Sequence, residues 1–181
     1  VTLFPRPRRF GKSLMISTLD EFFNVEKKED NKNLFDGLYI SKSEYAKEQG
    51  KYPVINLNFK SLKAENWEHM YAQIREEFRE VFSSKRYLME ILDEDEKEVY
   101  TKILYKNANQ DEYEKAIKMS SQVMQRYYNQ KVILLIDEYD VPIQNGYTKG
   151  FYEDVIGFIK NLFGNGLKTN QSIKQAVMTG D

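Results

Sequence analysis

Residues 132–136 constrain the fold of this chain more than any other part of its sequence. The run is continuously apolar and lacks the alternation of a half-exposed strand. Such a run is typical of a strand buried on both faces, as in a parallel sheet that helices cover on either side. The acidic pair Asp137-Glu138 follows at once. Because ligands of open α/β sheets bind beyond the carboxyl ends of the strands, this pair lies where a functional site is expected.

A second pattern, Gly11-Lys12-Ser13, follows the apolar segment 1–4 and precedes a run with helical spacing. It resembles the end of the phosphate-binding loop G-x-x-x-x-G-K-[ST], although Arg6 stands where the first glycine is usual. Backbone N–H groups at such a strand-to-helix turn bind anions, and the positive end of the helix dipole assists them. Lys12 would then bind the β- and γ-phosphates, and Ser13 would bind Mg²⁺.

The predicted phosphate-binding stretch extends to both sides of this tripeptide. Its members are Arg8, Arg9, Phe10, Gly11, Lys12, Ser13 and Leu14. Because the G-K-S tripeptide is common, the alternative that this stretch is only a basic turn stays open.

The two adjacent acids are predicted to divide the chemistry of the site between them. Asp137, at the end of the strand, is expected to hold Mg²⁺, and Glu138 to orient or deprotonate the attacking water. Successive strand residues point to opposite faces, so the two carboxylates need not share a ligand. The alternative is a solvated acidic turn, with Pro142 ending the strand.

The order of strands and helices predicts an α/β fold. Hydrophobic periodicity predicts strands at 1–4, 53–59, 131–136 and 173–178, and helices at 12–23 and 151–163. Alternation of this kind indicates a mainly parallel sheet with helices on both faces, and we expect strand 1–4 at its centre. Residues of about 61–130 are expected to form a helical insert, as a small lid or subdomain. Gly164 and Gly166 are expected to end the helix that begins at 151.

Composition limits the class of protein. The chain has 181 residues, of which 41% are hydrophobic and 30% charged, which is typical of one globular domain. Its net charge of −1 gives no support to nucleic-acid binding, which stays an alternative carried only by the basic residues of the loop. It has no cysteine, which excludes disulfides and thiolate metal sites and suits a cytoplasmic location. No apolar run is long enough to span a membrane.

Four segments together resemble the bacterial AAA-ATPase-like domain family. They are residues 6–13, 52–57, 135–143 and 176–180. The resemblance covers essentially the whole chain and implies one P-loop NTPase domain of three layers over residues 1–181. It implies that arginine at position 6 is a family trait. Proteins of this family often carry a C-terminal PD-(D/E)XK nuclease-like domain. The chain begins inside a predicted strand and stops just after another, so we expect both of its ends to be cut from a longer protein.

The same resemblance implies roles for individual residues. Lys12 and Ser13 correspond to the phosphate and magnesium ligands, and Asp137 and Glu138 to the Walker B pair. Thr179 corresponds to the polar sensor at the end of the next strand. The expected catalytic residues are therefore Glu138, Lys12 and Thr179.

The sequence thus predicts ATP binding and Mg²⁺-dependent ATP hydrolysis by the motor or switch part of a larger protein. Turnover is expected to be slow in isolation, because the charge that develops on the γ-phosphate often requires an arginine from a partner or a later segment. The alternative is a regulatory scaffold that binds nucleotide with little turnover and serves an attached nuclease-like or nucleic-acid-binding module. The base preference and the oligomeric state stay open.

Overall fold

The structure, a computed structural model, describes residues 1–7 and 9–181. Within these residues four strands form one sheet in the order β1-β4-β3-β2, and each neighbouring pair is parallel. The strands are β1 (Thr2–Pro5), β2 (Val54–Asn58), β3 (Val132–Asp137) and β4 (Ile173–Gly180). The prediction of an α/β fold with a mainly parallel sheet is confirmed.

Helices cover both faces of this sheet. They are α1 (Lys12–Phe23), α2 (Trp67–Ser84), α3 (Glu94–Leu104), α4 (Gln110–Glu114), α5 (Ala116–Tyr128), α6 (Val141–Lys149) and α7 (Tyr152–Leu167). On one face Ile133 and Leu135 of β3 pack in a cluster with Ile16 of α1. On the other face Leu134 and Ile136 belong to a larger cluster that includes residues of α2, α5 and α7. Strand β3 is therefore buried on both faces, as its unbroken apolar run predicts.

Strand β1 does not lie at the centre of the sheet, so that part of the prediction is wrong. In the range that the structure describes, β1 pairs only with β4, and the central strands are β3 and β4. The exposure of the strands agrees with this order. All six residues of β3 are buried, whereas β1 alternates between half-buried and exposed residues and leaves Leu3 50% exposed.

The predicted helical insert lies between β2 and β3 and contains helices α2 to α5. The apolar stripe of α2 enters the core, since Met70, Ile74 and Phe78 are buried in the same cluster as Leu134. The side-chain hydroxyl of Tyr100 in α3 lies within hydrogen-bond distance of two backbone oxygens near the end of α2 and donates its proton there. The insert is therefore one layer of the domain and not a separate lid.

Two helices differ from their predicted bounds. Helix α6 is not among the predicted elements, and Pro142 lies in its first turn, where proline is well tolerated. Helix α7 continues to Leu167, past the glycines that were expected to end it. Gly166 instead permits close packing, because a Cβ there would lie 2.8 Å from Ile117 Cγ2 of α5. No helix in the described part of the chain is long and apolar enough to cross a membrane.

Candidate functional site

The Gly11-Lys12-Ser13 turn connects β1 to α1 at the carboxyl edge of the sheet. Gly11 has φ 76° and ψ 19°, a left-handed conformation that glycine adopts without strain. It is the residue before α1, and its carbonyl accepts the backbone N–H of Met15 at 2.9 Å. Side chains supply neither a cap nor an acidic group to the first turn of α1. The N–H groups of this turn therefore face outward as donors for an anion.

Lys12 is the first residue of α1 and is only 5% exposed. Its ammonium forms an ion pair with the carboxylate of Asp181, just beyond the end of β4. The backbone N–H of Asp181 donates to Asp140 Oδ2 at 3.2 Å. The lysine is thus directed along the carboxyl edge of the sheet, toward the end of β4.

Thr179 connects the two predicted acids. Its hydroxyl donates to Asp137 Oδ1 at 2.5 Å and accepts the backbone N–H of Glu138 at 3.2 Å. Thr179 has no exposed surface and Asp137 is 3% exposed, so this junction is buried. The family resemblance implies a sensor role for Thr179. In the structure Thr179 is buried beside the cavity and hydrogen-bonded to both acids.

The side chains of Asp137 and Glu138 face different surroundings. The cause is not the alternation of side chains between the two faces of a strand. Strand β3 ends at Asp137, and Glu138 adopts a left-handed conformation with φ 53°. The backbone turns at Glu138, and this residue is partly exposed. Asp137, the last residue of β3, is buried. Only Glu138 of the two faces the open side of the site.

A cavity of about 520 Å³ collects most of the predicted phosphate-binding residues. Its lining residues are Arg9, Gly11, Lys12, Ser13, Leu14, Lys60, Lys63, Glu138 and Val141. Phe10 is 64% exposed and does not line the cavity, and neither do Asp137 and Thr179. Arg8 lies outside the described residues. Glu138 thus opens on the same space as Lys12 and Ser13, although 125 or more residues separate it from them in the sequence.

Sequence reasoning missed Lys60 and Lys63, which follow β2 and line this cavity. They belong to no motif. The available signal was their position, since they come directly after a buried apolar strand whose carboxyl end meets the same sheet edge as Asp137.

The donor set fits a magnesium nucleotide better than a metal held by protein alone. Within residues 1–7 and 9–181 no group of three or more His, Cys, Asp or Glu side chains could hold a metal ion. Mg²⁺ is usually bound through one or two protein oxygens together with substrate phosphates and water. Ser13 offers a hydroxyl of this kind in the cavity, and the carboxylate of Asp137 lies buried at the end of β3 behind it, with Oδ1 hydrogen-bonded to Thr179.

A parallel sheet covered by helices on both faces, with the G-K-S turn after β1 and the acidic pair after β3, is a P-loop NTPase-like three-layer fold. Residues 1–180 match the model of the AAA-ATPase-like family, which is described as a predicted AAA-ATPase. The chain belongs to this family, and the family indicates use of a nucleotide and a metal ion. Comparisons with curated proteins and with solved structures gave no significant match.

Proposed function

We propose that the chain binds ATP with Mg²⁺ in this cavity and hydrolyses it, as the motor or switch part of a larger protein. One observation carries the proposal: Glu138, which follows β3, lines the same cavity as Lys12 and Ser13, which follow β1. A base for water and a cation for phosphate are the two groups that phosphoryl transfer requires side by side.

The chain's own groups divide the work. The N–H groups at the start of α1 and the ammonium of Lys12 bind phosphate oxygens, for which Lys12 must leave the carboxylate of Asp181. Ser13 and Asp137 would hold Mg²⁺, which supplies positive charge to the β- and γ-phosphates when bound.

Glu138 acts on the water. The water oxygen forms a bond to the γ-phosphorus, the bond from that phosphorus to the β–γ bridging oxygen breaks, and a water proton passes to the Glu138 carboxylate. The products are ADP and phosphate. Thr179 holds the backbone N–H of Glu138 through its hydroxyl and so positions this residue.

The test compares Glu138→Gln with Glu153→Gln, a matched exchange at an exposed residue of α7. Glutamine cannot accept the proton, so Glu138→Gln is expected to bind Mg-ATP but to release phosphate about 10²–10⁴-fold more slowly. Calorimetry measures affinity and a phosphate-release assay measures turnover.

Lys12→Ala is expected to remove most ATP binding while the protein stays folded. Undiminished affinity in folded Lys12→Ala protein contradicts the phosphate-binding assignment. If wild-type protein and Glu138→Gln bind ATP alike and neither hydrolyses it, the regulatory scaffold is the better description.

Asp137→Asn separates the metal ligand from the base. It is expected to weaken the dependence of ATP binding on Mg²⁺, whereas Glu138→Gln leaves that dependence unchanged. Affinity measured with and without Mg²⁺ distinguishes the two variants, and an equal response of both contradicts the division of roles.

Three further expectations belong to this proposal. A cytoplasmic location is supported by the absence of cysteine from the sequence. A downstream nuclease-like domain is supported by the resemblance of the sequence to the AAA-ATPase-like family, whose members often carry such a domain. Nucleic-acid binding finds no support in the net charge of −1.

A further inference from the structure

Two lysines on the turn after β2 line the nucleotide cavity without belonging to the phosphate-binding loop. Lys60 and Lys63 are exposed side chains of the cavity wall. The strand order places β1 at one edge of the described sheet and β2 at the other. Lys12 therefore lines the cavity from the side of β1, and Lys60 and Lys63 line it from the side of β2. Glu138, which follows β3, lies between them.

The backbone of this turn fixes which side chains point outward. Phe59 and Leu62 are almost fully buried in the core, and the N–H of Leu62 donates to the carbonyl of Phe59 at 3.0 Å. The N–H of Lys60 donates to Asn58 Oδ1 at 3.0 Å. With its apolar residues anchored, the turn exposes Lys60 and Lys63.

Neighbouring elements hold the turn in place. The side chain of Gln73 in α2 accepts the N–H of Lys63 at 3.0 Å and donates to its carbonyl at 2.9 Å. The N–H of Ala64 donates to Asn145 Oδ1 of α6 at 2.9 Å, and the N–H of Phe59 donates to the carbonyl of Asp137 at 2.9 Å. The lysine turn is thus tied to the residue before Glu138 and to the helix that follows it.

The charge of the cavity wall favours a polyanion. Neither Lys60 nor Lys63 has an ion-pair partner among the residues that the structure describes. Arg9 adds a third cation to the wall, Lys12 adds a fourth that is ion-paired with Asp181, and Glu138 is the single carboxylate among the described lining residues. This positive wall lies in a chain of net charge −1. Charges fixed in advance around a reacting phosphate stabilise the charge that develops in its transition state.

We propose that Lys60 and Lys63 contact the γ-phosphate of bound ATP and supply, from within this chain, the positive charge that other nucleotide hydrolases take from an arginine finger. The inference rests on the proposed function, because it assumes that ATP occupies the cavity. It assigns the lysines to the terminal phosphate, since they lie on the side of Glu138 away from the phosphate-binding loop.

The test compares the double variant Lys60→Gln/Lys63→Gln with the matched double variant Lys42→Gln/Lys168→Gln, which changes two exposed lysines outside the cavity. Calorimetry with Mg²⁺ measures the affinities for ATP and for ADP, and phosphate release measures turnover. A charge-assisted hydrogen bond lost to the γ-phosphate lowers ATP affinity at least about tenfold and leaves ADP affinity unchanged. Turnover at saturating ATP falls by a similar factor or more, and Lys60→Arg/Lys63→Arg restores it.

The outcomes separate the inference from the proposed function. Unchanged ATP affinity and turnover in the cavity variant overturn the inference while wild-type ATP binding sustains the proposed function. Equal loss of ATP and ADP affinity also overturns it, because the lysines then contact inner phosphates. If wild-type protein does not bind ATP at all, the proposed function fails and the inference fails with it.

Discussion

Thr179→Val is the substitution that best tests how the site is supported. Valine has nearly the shape of threonine and suits a strand, so the exchange removes the hydroxyl and little else. That hydroxyl donates to the buried carboxylate of Asp137 and accepts the backbone N–H of Glu138. Both partners lie at the end of β3, so one substitution removes a hydrogen bond from each of the two acids.

The expected loss of stability follows from these two hydrogen bonds. A hydrogen bond to a charged group contributes about 1.5–3 kcal/mol, and a neutral one about 0.5–1.5 kcal/mol. Since Asp137 is 3% exposed, water does not readily replace the lost donor. The free energy of unfolding of Thr179→Val should therefore fall by about 2–4 kcal/mol, a large part of the stability of a typical domain.

Thr179→Ser is the control, because it keeps the hydroxyl and loses one methyl group, at about 1 kcal/mol. Urea unfolding measures both variants, and phosphate release and ATP affinity are measured on the folded proteins. Because Thr179 does not line the cavity, Thr179→Val should reduce turnover far more than ATP affinity. The reasoning is refuted if Thr179→Val is as stable as Thr179→Ser, or if its turnover equals that of wild type.

Three other predictions test particular contacts. Asp181→Asn removes the carboxylate that pairs with Lys12 and would repel phosphate. ATP should therefore bind more tightly, as measured by calorimetry. Weaker binding would contradict the view that Asp181 competes with ATP for Lys12. A hydrogen bond from a neighbouring arginine is the main cause that lowers the pKa of Glu76 from 4.5 to about 2. This partly exposed carboxylate therefore adds stability above pH 4.5, less than about 1 kcal/mol, which is lost as the pH falls toward 2. Glu76→Gln should flatten that acid-side fall in the free energy of unfolding, and an unchanged profile would show that the contact adds nothing. Gly166→Ala should lower the free energy of unfolding by about 1–3 kcal/mol, because the new Cβ would meet Ile117 of α5. Gly164→Ala should raise it by about 0.5–1 kcal/mol, because a Cβ there meets nothing within 4 Å. Equal effects of the two substitutions in urea unfolding would exclude the close contact at Gly166.

The sheet was predictable where the burial of a strand determines the composition of one continuous segment. The unbroken apolar run of β3 predicts cover on both faces, and the structure has helices on both. The strand order was not predictable in this way, because pairing joins segments far apart in the chain.

The candidate site can be proposed from sequence only where its residues are consecutive. Gly11-Lys12-Ser13 and Asp137-Glu138 are recognisable because the turn and the strand end each fix neighbouring side chains. The left-handed conformation of Glu138 was not predictable, because it depends on the hydrogen bond of its N–H to Thr179, a contact across two strands. Lys60 was missed for a similar reason, since only the sheet brings it to the cavity.

The structure divides the site into a buried support and an accessible wall, and this division has experimental consequences. Asp137 and Thr179 are enclosed and hydrogen-bonded to each other, so changes there should alter stability and turnover together. Glu138 and Lys60 line the cavity from partly or fully exposed positions, so changes there should alter turnover or affinity and leave stability almost unchanged. Lys12 lies between these cases, because it lines the cavity yet is 5% exposed and ion-paired. Its removal should therefore affect both binding and stability, and so ATP affinity of Lys12→Ala is meaningful only when urea unfolding shows that the variant is folded.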